Sequence, residues 1–352
     1  MLKRFKFTFF IFLLPIQLLS QSNNTINALF LGNSYTAVND LPQLISQLAN
    51  ASNDVLLYQS NCPGGATLNT HFTNGTSISQ ITAQKWDVVI LQAQSQEPAF
   101  SPAQVAQETL PFALKLDSII HSNDSCTKTV FYETWGRKYG DAANCPFYPP
   151  ICTYTGMQDR LKASYKLFAD TCQAILAPAG EAWRQSIALD SSLNLYQGDN
   201  SHPSMEGSYL TACVFYEVLF NKSVVNNSFF ASVDPAVALS LQQIAHAVVT
   251  DSSSVWNIGA FNPCAGTAST TNLMVQELTN FPNPVNSELF VSVTEEELNV
   301  GISYAIMNVL GQEITRGKMD STSIYVDLLP AGVYYLQLRS TNFNSSLKFV
   351  KE

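Results

Sequence analysis

Trp86-Asp87-Val88-Val89-Ile90-Leu91-Gln92 decides the fold. Four consecutive apolar residues, three of them β-branched, leave no polar face, so a strand here is covered on both sides, as in a parallel sheet between helices. Segments of the same kind recur on either side of it: Asn27 to Leu31, Val55 to Gln59, Thr129 to Glu133 and Ala174 to Pro178. Helix-like stretches separate them, at Pro42 to Ala51, Pro102 to His121, Met157 to Cys172 and Ser204 to Phe220. In the last, Tyr209, Leu210, Cys213, Val214, Tyr216 and Glu217 form a mostly apolar stripe at helical spacing. A further helix over Pro235 to Val249 closes the region. Such alternation implies an α/β domain, a parallel sheet with helices on both faces, over residues 24–253.

The character changes near Ser252. Asn257 to Thr271 is rich in Gly, Asn, Ala and Thr and reads as a linker, placed at 254–272. From Leu273 onward the segments are strand-sized: Glu288 to Val293, Ser303 to Asn308, Ser323 to Asp327, Val333 to Leu338 and Leu347 to Val350. Turn signals at Asn283-Pro284, Leu310-Gly311 and Pro330-Ala331-Gly332 divide them, which predicts a small C-terminal β-sandwich over 273–352.

The amino terminus has the pattern of a signal peptide over residues 1–20. Lys3, Arg4 and Lys6 precede the apolar run Phe7 to Leu19, and polar Gln21-Ser22-Asn23-Asn24 follows. Without that segment the chain holds 15 basic and 27 acidic residues, a net charge of −12. So acidic a surface does not attract nucleic acid or anionic lipid, and neither is expected as a partner. Hydrophobic residues make up 46% and charged residues 13%, enough apolar material for a sizeable core and against a disordered chain. An exported chain can form disulfides. Cys145 and Cys152 flank a proline-rich loop suited to a bridge, the odd total of seven leaves at least one thiol over, and Cys172 and Cys213 lie in apolar helical stretches as buried thiols would. Neither the cysteine spacing nor four scattered histidines makes a zinc site, so no metal and no cofactor is expected.

In an open parallel sheet ligands bind beyond the carboxyl ends of the strands. The first strand ends in Leu31-Gly32-Asn33-Ser34-Tyr35-Thr36, which places Ser34 at the start of a helix, where negative charge is tolerated. Serine is a weak nucleophile until a base takes its proton. Of the four histidines, His121 and His246 lie in helices with ordinary packing explanations, His71 follows the Gly64-Gly65 loop and could line a pocket but has no nearby carboxylate in sequence, and His202 lies in Asp199-Asn200-Ser201-His202-Pro203. There Asp199 can reach the ring, orient it and stabilise its cation. An oxyanion hole needs donors aimed at the developing charge. Gly65, in the Gly64-Gly65 loop after the second strand, can bring its backbone N–H close to a ligand, the Ser34 N–H is another donor, and Gln92 or Gln94 after the third strand supplies a side-chain amide.

The blocks Gly32-Asn33-Ser34, Gly65, Gln92 to Gln94 and Asp199-x-x-His202, in that order along residues 26–250, resemble the successive blocks of SGNH (GDSL-like) hydrolases. The resemblance implies a flavodoxin-like three-layer α/β/α sandwich and metal-free ester hydrolysis, with Ser34 as nucleophile, His202 as base, Asp199 as its orienter and Gly65 as an oxyanion donor. The first block has Gly-Asn-Ser where much of the family has Gly-Asp-Ser. The third reads Gln-Ala-Gln-Ser in place of Gly-x-Asn-Asp, similar to the carbohydrate acetyl-esterase branch, and leaves Gln92 and Gln94 both open for the asparagine's role. The C-terminal motifs Phe281-Pro282-Asn283-Pro284, Met307-Asn308-Val309-Leu310-Gly311-Gln312-Glu313, Leu329-Pro330-Ala331-Gly332-Val333-Tyr334-Tyr335 and Lys348-Phe349-Val350-Lys351-Glu352 resemble the sorting domain of type IX secretion substrates. That implies the type IX secretion machinery as a partner and an extracellular or cell-surface location.

The function so implied is a secreted serine esterase acting on acylated, chiefly acetylated, glycan. A lipase or arylesterase is the nearest alternative. A surface glycan-binding protein on an inactive hydrolase scaffold is the alternative from another class. The segment Trp135 to Met157 follows the fourth strand and reads equally as a wall or lid of the pocket and as an inert surface loop, with Trp135, Tyr139 and Tyr148 available to stack on sugar rings.

Overall fold

The computed structural model of the protein describes residues 24–260, 280–293, 298, 301–309, 312–340 and 344–352. The expected signal peptide, most of the expected linker, Cys264 and the Leu310-Gly311 turn lie outside the described residues.

Five short strands form the first sheet: β1 (Thr25–Leu31), β2 (Val55–Asn61), β3 (Val88–Leu91), β4 (Lys128–Tyr132) and β5 (Ile175–Ala177). All pair in parallel in the order β2-β1-β3-β4-β5. The chain therefore steps from β1 outward to β2, then returns past β1 to β3. The loops after β1 and β3 diverge at this switch point and open a crevice above the strand ends.

Alternate residues of each strand feed two cores. Ala28, Phe30, Val88, Ile90, Val130 and Tyr132 face one; Leu29, Leu31, Val89, Leu91 and Phe131 face the other. Helices α2 (Leu41–Ala51), α8 (Ala179–Leu189), α9 (Met205–Phe220) and α10 (Pro235–Asp251) cover the first face. On the opposite face lie α3 (Leu68–Thr73), α4 (Gly75–Thr82), α5 (Pro102–Glu108), α6 (Leu110–Asn123) and α7 (Tyr154–Thr171). The result is the three-layer α/β/α sandwich expected. Burial on both faces is why central β3 reads as an apolar run without alternation, whereas β2, at the sheet edge, keeps exposed Leu57, Gln59 and Ser60.

The stretch read as one helix over Pro102 to His121 is two, broken at Thr109. Pro111 has no N–H to donate and its ring crowds the carbonyl one turn back, so the helix restarts instead of continuing. The packed region also runs past Ser253, where the sequence placed its end. Trp256 is 3% exposed, its carbonyl accepts from Leu176 N at the sheet edge (2.9 Å), and its indole N–H donates to Val248 O (2.7 Å).

The strands of the C-terminal region pair antiparallel, with one isolated parallel bridge between Val285 and Lys351. Strands β6 (Asn280–Phe281), β7 (Glu288–Val291) and β10 (Ser323–Tyr325) form one sheet, in the order β10-β7-β6. Strands β8 (Ile302–Asn308), β9 (Glu313–Met319), β11 (Gly332–Arg339) and β12 (Asn344–Lys351) form the other, in the order β12-β11-β8-β9. Leu289 and Ile324 of the first meet Ile306, Leu336, Leu338 and Phe349 of the second in one core, the small sandwich expected.

Candidate active site

Beyond β1, Asn33 caps the single-turn helix α1 (Ser34–Ala37), its Oδ1 accepting from Tyr35 N (3.1 Å). One turn has little macrodipole, so the electrostatic help expected from a helix N-terminus reduces here to the local N–H groups. Asn33 does more than cap. Its Nδ2 donates to Ala66 O (3.0 Å) and Ala93 O (3.3 Å), tying the loops after β1, β2 and β3 together.

Gln92 completes this tie. Its Oε1 accepts from Asn33 N (3.0 Å) and Thr36 Oγ1 (2.7 Å), and its Nε2 donates to Asn33 Oδ1 (2.7 Å) and Ala93 O (3.0 Å). Both amide hydrogens are spent and the side chain is fully buried, so Gln92 is a brace and not the free oxyanion donor the sequence offered it as. Gly32 is required beside it: a Cβ there would stand 2.4 Å from Thr36 Oγ1 and 2.7 Å from Gln92 Oε1. Behind Gly32, buried His71 sits between Ser77 Oγ (2.8 Å, at Nδ1) and Gly32 O (2.8 Å, at Nε2). A carbonyl only accepts, so Nε2 carries the hydrogen, and burial lowers the ring's pKa and keeps it neutral. His71 thus supports the loop and lines no pocket.

Ser34 Oγ lies 2.9 Å from His202 Nε2, and His202 Nδ1 is hydrogen-bonded to Asp199 Oδ2. Asp199 Oδ1 also accepts from Ser201 N (3.0 Å) and His202 N (2.9 Å), so one carboxylate both shapes the turn and orients the ring. Burial alone would raise the Asp199 pKa, but the bonds from the His202 ring and from the two N–H groups outweigh it and hold the carboxyl below its ordinary value. Asn200 takes a left-handed conformation (φ 58°), which Asn tolerates. The loop is pinned at Lys138 N to Asn200 O (3.0 Å), at Gln197 N to His202 O (2.8 Å), and by Asn39 Nδ2 on Ser204 O (3.1 Å) and Ser208 Oγ (2.9 Å). Ser204 then caps α9 through Gly207 N (3.2 Å).

The backbone N–H of Ser34 has no acceptor among the described residues, nor has that of Gly65, in the loop whose Ala66 carbonyl Asn33 holds. Gly65 is exposed, with φ 69° and nothing within 4 Å of a built Cβ, so it is the conformation and not the space that calls for glycine. Gln94 is half-buried and serves its own loop, its Oε1 accepting from Gln96 N (2.7 Å) and Glu97 N (3.2 Å). Its Nε2 makes only longer local contacts, to Gln96 Oε1 (3.2 Å) and Ser95 Oγ (3.4 Å).

The segment after β4 stands against this site. Besides the Lys138 bond, Asp141 accepts from Gln96 Nε2 (2.6 Å) and Asn144 Nδ2 (2.7 Å) and pairs with Arg137 (3.5 Å), so the segment joins the loop after β3 to the Asp199–His202 loop as a wall. A Cys145–Cys152 disulfide closes it. Of the aromatics offered for sugar stacking, Trp135 is fully buried and is core, Tyr148 packs on the second core, and Tyr139 is exposed.

Residues 279–352 match the family model of the secretion system C-terminal sorting domain. With that domain the protein is exported, to the cell surface or the medium, and engages the type IX secretion machinery. Among curated proteins no sequence matches. A DUF4886 family protein of Bacteroides uniformis is similar in structure, with 19% identity, a TM-score of 0.56, and coverage of 64% of this chain and 96% of that one. At that identity the likeness shows the fold. A putative SGNH hydrolase of Slackia heliotrinireducens (27% identity, TM-score 0.46, 55% and 98% covered) and an acetyl xylan esterase (12%, 0.44, 55% and 100%) also align.

The remaining histidines are accounted for locally. His121 Nδ1 lies against Asp117 on its own helix. His246 meets Glu217 (3.0 Å) and Ser223 Oγ (3.3 Å) through the same ring nitrogen, whereas a relay needs the carboxylate and the hydroxyl on opposite nitrogens. Cys62, Cys172 and Cys213 are free thiols; burial pushes Cys62, beside the Gly64-Gly65 loop, up to about 11, which makes it a poor nucleophile. Among the described residues no group of three or more His, Cys, Asp or Glu side chains is arranged to hold a metal.

Proposed function

We propose that the protein is an exported serine esterase, with Ser34 as nucleophile, His202 as general base and acid, and Asp199 as the group that orients His202. The observation that carries this reading is the unbroken chain from Ser34 Oγ through both ring nitrogens of His202 to Asp199, together with two unspent backbone N–H groups. The His202 Nε2 lone pair takes the Ser34 proton as Oγ bonds to the ester carbonyl carbon. The carbonyl oxygen gains the negative charge, and the N–H groups of Ser34 and Gly65, with the Gln94 amide as third donor, stabilise it. Collapse expels the alcohol, which leaves with the proton from His202. Water then attacks the acyl-enzyme, gives its proton to His202, and the acid departs as Ser34 regains its hydrogen.

Acetylated glycan is the preferred substrate class, on the third-block glutamines and the export address. The esterase unit is residues 24 to about 258, and the linker begins after it. The whole purified protein is to be assayed on p-nitrophenyl acetate, acetylated xylan and a long-chain p-nitrophenyl ester, beside Ser34→Ala. Activity is expected in the parent and a loss of at least about 10³-fold in the variant. Equal rates in the two proteins would refute the Ser34 mechanism. Preference for the long-chain ester would replace the glycan reading by a lipase, and glycan binding with no turnover would favour the binding-protein alternative.

A further inference from the structure

The residue after the nucleophile is Tyr35, only 2% exposed, and it is the front member of an aromatic column assembled from three distant parts of the chain. Its ring stacks on Trp135 (centroids 4.8 Å, 5° between planes), and Trp135 stacks on Trp183 (3.8 Å, 4°). The Tyr35 ring also meets the His202 ring edge-on (5.4 Å, 74°). The column also grips the residue before the base. Tyr35 Oη and Ser201 Oγ are 2.6 Å apart, and Trp135 Nε1 donates to Ser201 O (3.0 Å). Its far end is fixed too, by Trp183 Nε1 donating to Thr211 Oγ1 of α9 (3.1 Å). Burial raises the Tyr35 pKa, chiefly by desolvation, so the hydroxyl keeps its proton and remains a donor.

The exposed carboxylate of Asp199 holds His202 from the solvent side. Ser34 comes 168 positions before His202, and Asn39, just after α1, ties the far side of this loop through Pro203 O (3.3 Å) and Ser204 O (3.1 Å). Tyr35 spans that gap: its backbone follows Ser34 and is capped by Asn33, while its side chain clasps Ser201 and abuts His202. Resting on the serine-esterase reading, we propose that Tyr35 is a positioning residue that sets His202 against Ser34, with Trp135 and Trp183 as its backing and the Tyr35–Ser201 hydrogen bond as its clasp. Substrate need not touch it, so its loss acts on turnover and not on substrate binding.

The test is a double-mutant cycle of Tyr35→Phe and Ser201→Ala on the whole protein, with Ser34→Ala run alongside. Tyr35→Phe keeps the stacked ring and removes only the clasp, and Ser201→Ala removes the same clasp from a half-buried loop position that folding tolerates. Each single variant is expected to lower kcat about 3- to 10-fold with KM changed by less than about 2-fold, and the double variant to be no slower than either. The rate of Ser34 modification by a fluorophosphonate is expected to fall in parallel. Parent-like kcat in both single variants, multiplicative losses in the double, or a raised KM at constant kcat would each overturn the proposal. Full activity in Ser34→Ala would instead overturn the esterase reading beneath it, so the two failures are separable.

Discussion

Beneath the nucleophile, Asn33, Thr36, His71 and Gln92 are each no more than 2% exposed, and every polar atom of Gln92 is engaged. Across the cleft, His202 and Asp199 leave 32% and 47% of their side chains open to solvent. The nucleophile therefore stands on a buried polar network, which is costly to leave half-satisfied and is part of what holds the sheet loops in place. His202 stands on a turn nearer the surface, where Asp199 orients it through bonds within the turn, while Tyr35, Trp135, Lys138 and Asn39 pin that turn from outside it. Substituting the buried network disturbs the fold, whereas substituting the exposed Asp199–His202 pair chiefly disturbs the ring's orientation.

That contrast is broken most directly at Asp199. Asp199→Asn is expected to lower kcat by about 10²- to 10⁴-fold, because the ring loses its orienting partner and its cation loses stabilisation, while the melting temperature moves by no more than about 2 °C. A melting temperature that collapsed with the activity would show the base side to be structural after all. The reverse pattern is expected at Gln92. Gln92→Leu leaves Asn33, Thr36 and Ala93 with unpaired buried groups, a loss of about 3 kcal/mol or roughly 6–12 °C in thermal unfolding. A stable Gln92→Leu variant with parent-like activity would show that the network beneath the nucleophile is dispensable.

The smallest effect sharpens the comparison at the edge of the buried side. Burial first, and Glu108 second, push the Glu97 carboxyl from 4.5 up to about 7. Its folded value lies above its unfolded one, so the native state holds more protons between those values and stability declines as pH rises from about 4.5 to about 7. Glu97→Gln removes this slope. Its melting temperature is expected to exceed the parent's at pH 8 and to converge with it near pH 4, in parallel thermal melts; equal melting temperatures at both pH values would place Glu97 in solvent.

The inner strands were legible because burial on both faces writes an apolar run, as in Val88 to Leu91. Asp199 and His202 were legible because a three-residue spacing is a local fact. What escaped was either short or assembled at a distance. Helices α3 and α4 are capped by Thr67 and Asn74 but are too short to show a helical period, and α8 begins directly after the three-residue β5 with no capping side chain. Strand β9 is almost wholly exposed, so Glu313 to Met319 shows no alternation to read. Gln92 looked like a donor because its residue type was visible and its partners were not. Trp135 looked like a sugar platform for the same reason, since Tyr35, Trp135 and Trp183 come from three separate segments and only folding stacks them.

The 168 positions between Ser34 and His202 give the chain a built-in order of events. A nascent or translocating chain whose α/β unit is incomplete carries an ordinary serine alcohol, because the imidazole that activates it arrives only when α9 docks and draws the preceding loop onto the strand ends. On the proposed mechanism, hydrolytic competence is therefore acquired only once these two distant segments have folded together. Ester turnover measured outside the cell then counts finished molecules, and serves as a direct gauge of how much exported protein has reached its native state.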